Sequence, residues 1–360
     1  MQIKKVFIKD FRNIDEISLD LANGINILYG ENAQGKTNFL EALYLCASGR
    51  SIRTNNDNDL IKFGLNQANV NVILEDGEKI DVNILRDKKK IIAVNNVKIN
   101  KLGELFGKLF TVIFSPEDLQ LVKSNPASRR KFMDTELCQI SKIYYYELKQ
   151  YYRVLHQRNN MLKKICDNNF SCEILDTWDE QLIHYGINII KHREKFIKQI
   201  DTEAMKIYSH VTNEKENLNV IYKPNTIAED FQNKLEKHRK YDILMGSTSI
   251  GIHKDDLNFE INGVSAKNFA SQGQQKSVAL SLKLAEINLI NETTNKFPTL
   301  LLDDILSELD ESRQLFLFDA IKNFQVVLTC TGIENVIKKN IHTANFLKVV
   351  GGKIFNENGA

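Results

Sequence analysis

The sequence predicts an α/β protein in which a nucleotide-binding lobe is joined to a helical lobe. Three observations indicate this class. The apolar run Ile25–Tyr29 is typical of a buried strand, and a glycine-rich turn follows it before a segment with helical spacing of apolar residues. Residues 68–100 alternate apolar and polar side chains, as antiparallel strands do. Residues 128–210 have the apolar periodicity of helices.

The turn after the first buried strand has the pattern of a phosphate-binding loop. It consists of Gly30, Glu31, Asn32, Ala33, Gln34, Gly35, Lys36 and Thr37. Glycines let the backbone wrap closely around an anion, and the N–H groups and dipole of the next helix then face the phosphates. Lys36 would span the β- and γ-phosphates of a nucleotide, and the Thr37 hydroxyl would ligate Mg²⁺. Because such a match arises by chance in about one chain per hundred of this length, we interpret the loop as a nucleotide site.

Composition excludes several other classes of protein. No apolar stretch is long enough to span a bilayer, and the N-terminus alternates like a strand instead of showing the apolar run of a signal peptide. The five cysteines are scattered and the seven histidines show no ligand spacing. This pattern favours reduced thiols in the cytoplasm over disulfides or a zinc site.

Positive charge is concentrated in one segment of a nearly neutral chain. Between Lys123 and Lys164 there are ten Lys or Arg and three acidic residues, a segment net charge of +7 within a chain of net charge +2. Such a segment is either a footprint for a phosphate backbone or a solvated helical face, and composition does not decide between them. If it binds DNA, Arg129, Arg130 and Lys131 are the predicted contacts.

The predicted helical lobe lies between two parts of the nucleotide-binding lobe. Ser115 before Pro116 has the pattern of a helix start, directly after a predicted strand. The tyrosines between 144 and 152 favour core packing of helices over a platform for stacked bases. We therefore expect residues 1–122 and 241–360 to form the nucleotide-binding lobe, and residues 123–240 to form the helical insertion.

Two further motifs follow residue 250. Ser271-Gln272-Gly273-Gln274 precedes a predicted helix, which would give a second anion-binding helix start. An apolar strand, Leu300–Leu302, then ends in two carboxylates. Asp303 would hold Mg²⁺ through water, and Asp304 would orient and polarise the attacking water. The alternative for this pair is a buried strand with solvent-facing caps.

In this order the motifs resemble those of ABC-type ATPases, and the chain is similar to the RecF family of bacterial recombination mediators. The stretches that carry the resemblance are residues 30–42, residues 114–119 with Arg129 and Arg130, residues 253–257 with residues 271–275, and residues 301–310. The resemblance implies an ABC-type P-loop ATPase head, with a Rossmann-like lobe, an antiparallel β subdomain and a helical lobe. It also implies ATP and Mg²⁺ as cofactors.

The resemblance also implies roles for individual residues. Lys36 and Asp304 would be catalytic, and Thr37 and Asp303 would hold the metal. Arg12 and Asn38 would join the phosphate loop in binding the nucleotide. A signature formed by Ser271, Gly273 and Gln274 would contact the γ-phosphate held by Lys36 of a second copy, and Asp310 would lie in the loop between the two copies.

Partners are implied in the same way. The family binds duplex DNA, with a preference for junctions of single and double strands, and works with the RecR and RecO proteins to load RecA at gaps. An ATP-dependent homodimer, located at the nucleoid and hydrolysing ATP weakly with stimulation by DNA, is therefore expected. Asp304 stands where many related ATPases have Glu, and its shorter reach predicts slow turnover. No unambiguous glutamine follows Phe114 to position the water.

Three rival functions remain to be weighed. The head of an SMC-like machine is disfavoured, because the region between the two halves is short and lacks sustained heptads. A transporter's nucleotide-binding subunit is disfavoured by the antiparallel region and the basic segment. A DNA clamp in which ATP hydrolysis is incidental stays open.

Overall fold

A computed structural model describes residues 2–168, 172–332 and 344–356. The strands are β1 (Ile3–Phe11), β2 (Ile14–Asp20), β3 (Ile25–Tyr29), β4 (Gln67–Leu74), β5 (Lys79–Leu85), β6 (Ile91–Val94), β7 (Val97–Lys98), β8 (Thr111–Phe114), β9 (Leu218–Lys223), β10 (Asp256–Ile261), β11 (Val264–Ser265), β12 (Thr299–Asp303), β13 (Val326–Cys330), β14 (Asn345–Val350) and β15 (Lys353–Asn356). The helices are α1 (Lys36–Ser48), α2 (Pro126–Ile140), α3 (Lys142–Asn168), α4 (Asp176–Val211), α5 (Phe231–Met245), α6 (Ala266–Phe269), α7 (Gln272–Thr294) and α8 (Glu311–Ile321). In these ranges no helix has the length and apolarity needed to cross a membrane.

The chain divides into two compact units. We call Met1–Gln120 with Ala279–Ala360 the sheet unit, and Leu121–Val278 the helical unit. The first change of unit lies close to the expected residue 122. The second lies well beyond the expected residue 240, because β10 pairs with β9 and so keeps the chain in the helical unit.

The first sheet of the sheet unit is built around strand β3. Its strand order is β15-β14-β3-β13-β12-β8, and the neighbours from β14 to β8 are parallel. Strand β12 is buried on both faces until Asp303, as its apolar run predicts. Carboxyl ends of parallel strands meet at one edge of a sheet, which is where ligands bind in such folds. The loop after β3 therefore lies at the same edge as the polar ends of β12 and β13.

The second sheet of this unit is antiparallel, with strand order β2-β1-β4-β5-β6-β7. It confirms the strands predicted from the alternation between residues 68 and 100. Helix α1 belongs to one continuous core with both sheets, in which Leu40 and Leu43 lie in the same cluster as Val70 and Leu301. Because neighbours cover it on several sides, α1 is buried around almost its whole circumference instead of showing a single apolar stripe.

The helical unit contains helices α2 to α5 and the small sheet β11-β10-β9. Its longest helix, α4, has 36 residues and is roughly 54 Å long. Buried arginines connect its elements: Arg158 forms salt bridges to Asp179 and Asp242, and Arg193 forms one to Asp255. Removing one partner of such a buried pair costs about 3–5 kcal/mol, so these contacts fix the unit's geometry.

Two expectations for this part of the chain have mixed outcomes. Tyr144 and Tyr151 are fully buried, which confirms core packing for these two, whereas Tyr146 and Tyr152 are 55% and 41% exposed. At the helix start predicted at Ser115 the structure has only a short 3-10 helix, Asp118–Gln120. Asp118 instead accepts hydrogen bonds from Ser115 N and Ser115 Oγ (2.8 and 2.9 Å), which closes a turn. Helix α2 begins later, at Pro126.

Candidate nucleotide-binding site

The loop between β3 and α1 has a backbone that requires glycine at two positions. Gly30 and Gly35 have φ angles of 154° and 109°, in the region that favours glycine. A Cβ on Gly30 would lie 2.4 Å from the carbonyl oxygen of Val349, and one on Gly35 would lie 2.7 Å from Asn13 Oδ1. Larger residues would therefore push the loop away from its neighbours, as expected of a loop that must close around an anion.

The start of helix α1 is open to an anion. Its N-cap, Gly35, has no side chain to bond the first N–H groups of the helix. These groups and the helix dipole are the elements that hold phosphate in such loops. The Lys36 ammonium lies over the same loop and donates to the carbonyl oxygens of Gly30 (2.7 Å) and Glu31 (2.8 Å). The ammonium group thus lies at the opening of the loop, where a phosphate would compete with these carbonyl oxygens for its hydrogen bonds.

The polar ends of two strands meet the beginning of α1. Thr37 Oγ1 donates to Asp303 Oδ1 (2.9 Å), and Thr329 Oγ1 donates to the same oxygen (2.7 Å). Two oxygen ligands at this separation, one of them a carboxylate, fit a hard cation such as Mg²⁺. Thr329, at the end of β13, also belongs to this cluster. No role in holding the metal was predicted for it from the sequence.

Asp304 is held in an unusual conformation directly after β12. Its φ angle is 48°, in the left-handed region, and its N–H donates to Thr329 Oγ1 (2.9 Å). Burial raises the pKa of the Asp304 carboxyl above its ordinary value, and Lys36 acts in the opposite direction. Asp303 and Glu308 add to the rise through their negative charges. A raised pKa makes this carboxylate a stronger proton acceptor once it is ionised.

Arg12 and Asn38 line a cavity of about 610 Å³ beside the phosphate loop. Arg12 also forms a two-pronged pair with the buried carboxylate of Glu41, at 3.0 Å on each oxygen. Burial by itself would raise the pKa of Glu41, but hydrogen bonds from Arg12, Arg53 and Ser51 outweigh it and hold that pKa below its usual value. Glu41 therefore fixes the Arg12 guanidinium at the cavity. Sequence reasoning missed Glu41 and Arg53, which lie on α1 and in the loop after it.

Two distant segments brace the phosphate loop. Asn13, in the turn between β1 and β2, accepts a hydrogen bond from Asn38 Nδ2 (2.7 Å). The backbone N–H groups of Gly351 and Gly352 donate to Gln34, at its side-chain Oε1 (2.6 Å) and its carbonyl oxygen (2.9 Å). The turn of the antiparallel β14–β15 hairpin thus holds the tip of the loop.

The second predicted anion site lies at the start of α7, in the helical unit. Ser271 Oγ accepts from Gln274 N (3.2 Å), and Ser271 N donates to Gln274 Oε1 (2.8 Å). This reciprocal pair is a capping box, which orders the helix start. Gly273 follows within the first turn. In the sheet unit, Asp310 caps α8 by accepting from Arg313 N (3.0 Å), and its side chain remains half exposed.

The three basic residues chosen as DNA contacts have different surroundings. Arg129 is only 1% exposed, and its guanidinium binds both carboxylate oxygens of Asp256 (2.6 and 2.8 Å). The structure therefore corrects the prediction that Arg129 contacts DNA. The charge pattern of the sequence does not show which arginine pairs with an acid inside the fold. Arg130 donates to the carbonyl oxygen of Asp255 (2.7 Å), and Lys131 is exposed on α2.

Comparison with known proteins identifies the family. The family model for the RecF/RecN/SMC N terminal domain matches residues 2–345. The DNA replication and repair protein RecF of Lachnoclostridium phytofermentans is 42% identical over 357 residues, with 98% of this chain and 99% of that protein covered. The protein with the same name from Lachnospira eligens is 43% identical over 363 residues, covering 99% of this chain and 100% of that protein.

Solved structures agree with these relatives. The structure of the recombination mediator protein RecF-ATPrS in the RecFOR pathway matches with a TM-score of 0.92 at 34% identity, covering 99% of this chain and 98% of that chain. An Smc head bound to the C-winged helix domain of ScpA matches at 16% identity with a TM-score of 0.60, covering 99% of this chain and 97% of that chain, and shows the ATPase-head fold alone. The chain therefore belongs to the RecF family of DNA replication and repair proteins, within the larger group of RecF, RecN and SMC domains.

Proposed function

We propose that this protein is an ATP-gated DNA-binding dimer that acts as a recombination mediator in gap repair. ATP holds two copies together on DNA, and slow hydrolysis releases them. In this role the protein helps RecR and RecO to load RecA at junctions of single-stranded and double-stranded DNA. The relative solved as RecF-ATPrS, which its description assigns to the RecFOR pathway, supports this assignment.

The observation that carries the proposal is the hydrogen bond between Thr37 and Asp303 beside the Lys36 ammonium. Lys36 and the open start of α1 bind the phosphates, and Arg12 with Asn38 lines the space beside them. Thr37 and Asp303 would hold Mg²⁺, which would neutralise charge on the β- and γ-phosphates when bound. Asp304 accepts the proton of the attacking water.

The dimer follows from the second helix start. Ser271 and Gly273 of one copy would bind the γ-phosphate held by Lys36 of the other, because both helix starts attract the same anion. Nucleotide then acts as the link between copies. Asp310 would lie close to this link, since it directly follows the loop that begins at Asp304.

DNA binding would depend on exposed cations at the helical unit. Lys131 is the principal candidate, with Arg130 beside it, and Arg129 supports the surface from inside through Asp256. Such contacts neutralise phosphates and position the protein without reading base sequence. DNA binding should accordingly weaken as salt rises, and should be stronger with ATP than with ADP. A transporter-type ATPase subunit would show neither effect.

We expect Lys131→Ala to weaken binding to every duplex sequence to a similar degree, and to reduce the slope of log affinity against log salt by about 1. The measurement is fluorescence anisotropy of labelled duplex DNA at rising salt, with ATP and with ADP. Lys89→Ala, which removes an exposed lysine from the turn after β5, is the matched control. Equal slopes for both variants would eliminate Lys131 as a contact, and DNA binding unaffected by salt or nucleotide would contradict the proposed function.

A further inference from the structure

The turn after α4 brings an acidic residue to the start of helix α7, where the predicted signature residues lie. Helix α4 ends at Val211, and two successive left-handed residues follow, Asn213 (φ 52°) and Glu214 (φ 60°). Two successive residues other than glycine rarely both adopt this backbone conformation, so the turn has a specific shape. Glu216 follows Glu214 by two residues.

The Glu216 carboxylate is bound on both oxygens. Gln274 Nε2 donates to Oε1 (2.8 Å), and Tyr208 OH donates to Oε2 (2.6 Å). Tyr208 is fully buried in the last turns of α4, so its hydroxyl is a fixed point. Hydrogen bonds to a charged acceptor are stronger than those between neutral groups, so these two bonds hold the Glu216 carboxylate firmly in place.

Gln274 connects Glu216 to Ser271 through hydrogen bonds of its side chain. The same side chain that binds Glu216 through Nε2 accepts from Ser271 N through Oε1 (2.8 Å). The Ser271 oxygen in turn accepts from Gln274 N (3.2 Å), so its hydroxyl proton is left to donate to a phosphate oxygen. An unbroken series of hydrogen bonds therefore runs from the end of α4, through Glu216 and Gln274, to the residue that would grip the γ-phosphate.

We propose that Glu216 is a positioning residue of the composite ATP site: by orienting Gln274 it sets the start of α7, and so allows Ser271 to bind the nucleotide of a second copy. This proposal rests on the shared-site mechanism above. The hydrogen-bond partners of Glu216 are Tyr208 and Gln274, and neither belongs to the phosphate loop. Its loss should therefore affect association between copies and leave binding of nucleotide by a single copy intact.

We expect Glu216→Ala to weaken ATP-dependent dimerisation about tenfold, the loss typical of a hydrogen bond to a charged group. The affinity of the single copy for ATP should change less than about twofold, on the same scale. Glu216→Gln retains an oxygen acceptor for Gln274 and should restore most of the association. Glu214→Ala is the control, because it removes an exposed carboxylate from the same turn. Dimer formation is measured by analytical ultracentrifugation with ATP, and nucleotide affinity by titration of the single copy.

Mixed dimers separate a positioning role from a general structural one. Glu216→Ala mixed with Lys36→Met should recover hydrolysis, because one site then combines an intact phosphate loop with an intact signature. Glu216→Ala mixed with Ser271→Arg should not, because both defects lie in the signature half. Normal dimerisation of Glu216→Ala, or recovery in both mixtures, would overturn the proposal. So would loss of thermal stability that Glu216→Gln fails to restore. If wild-type protein stays single with ATP, the shared-site mechanism fails, and this proposal fails with it.

Discussion

A mixture of Lys36→Met and Ser271→Arg proteins is expected to hydrolyse ATP, although neither variant does so alone. In each pure variant both composite sites are broken. In a mixed dimer the substituted lysine of one copy faces the substituted serine of the other in one site. The second site therefore combines a normal phosphate loop with a normal signature and is intact. Random pairing makes about half of the dimers mixed, which predicts about a quarter of the wild-type rate in a two-fold symmetric dimer.

A second mixture provides the control for this result. Lys36→Met and Asp304→Asn both damage the half of the site that lies in the sheet unit. Their mixed dimers have no intact site and should stay inactive. Steady-state phosphate release from equimolar mixtures measures both cases. Equal recovery in the two mixtures, or no recovery in the first despite folded proteins that exchange partners, would show that the two motifs do not share a nucleotide.

The second large effect is expected for Asp304→Asn. The amide has nearly the shape of the carboxylate but accepts no proton, and general-base catalysis typically contributes about 10²–10⁴-fold to rate. We therefore expect single-turnover hydrolysis to fall by about 10²–10⁴-fold, with ATP binding and dimerisation retained. The dimer should then persist on DNA for longer than wild type, because the step that separates the copies is blocked.

Glu311→Gln is the matched control for that variant, since it neutralises an exposed carboxylate in the first turn of α8. Its rate should equal the wild-type rate. Wild-type hydrolysis by Asp304→Asn would exclude Asp304 as the base. Lost hydrolysis with unchanged release from DNA would instead favour the clamp in which hydrolysis is incidental.

Local motifs explain why much of the site was predictable. The glycines, Lys36 and Thr37 are contiguous, and the physical demands of phosphate binding act on that one turn. Asp303 was predictable because an apolar strand that ends in a carboxylate places it at the ligand edge of a parallel sheet. The structure adds the hydrogen bond that joins Thr37 to Asp303.

Long-range contacts explain what the sequence could not show. Gln34 is held by the turn at Gly351, and the signature residue Gln274 by Glu216, across separations for which no local pattern exists. The same limit applies to Arg129, whose charge suggested a surface contact but whose partner Asp256 is far along the chain. Tertiary packing decides which side chains pair inside a fold. Neither periodicity nor a count of charges predicts those pairs.

In the proposed function, ATP links two copies of this chain. The most direct test is the mass of the particle in solution, measured by ultracentrifugation with duplex DNA, Mg²⁺ and either ATP or ADP, using Asp304→Asn to prevent hydrolysis during the run. We expect two copies per particle with ATP and one with ADP. Particles of the same single-copy mass with both nucleotides would contradict the proposed function.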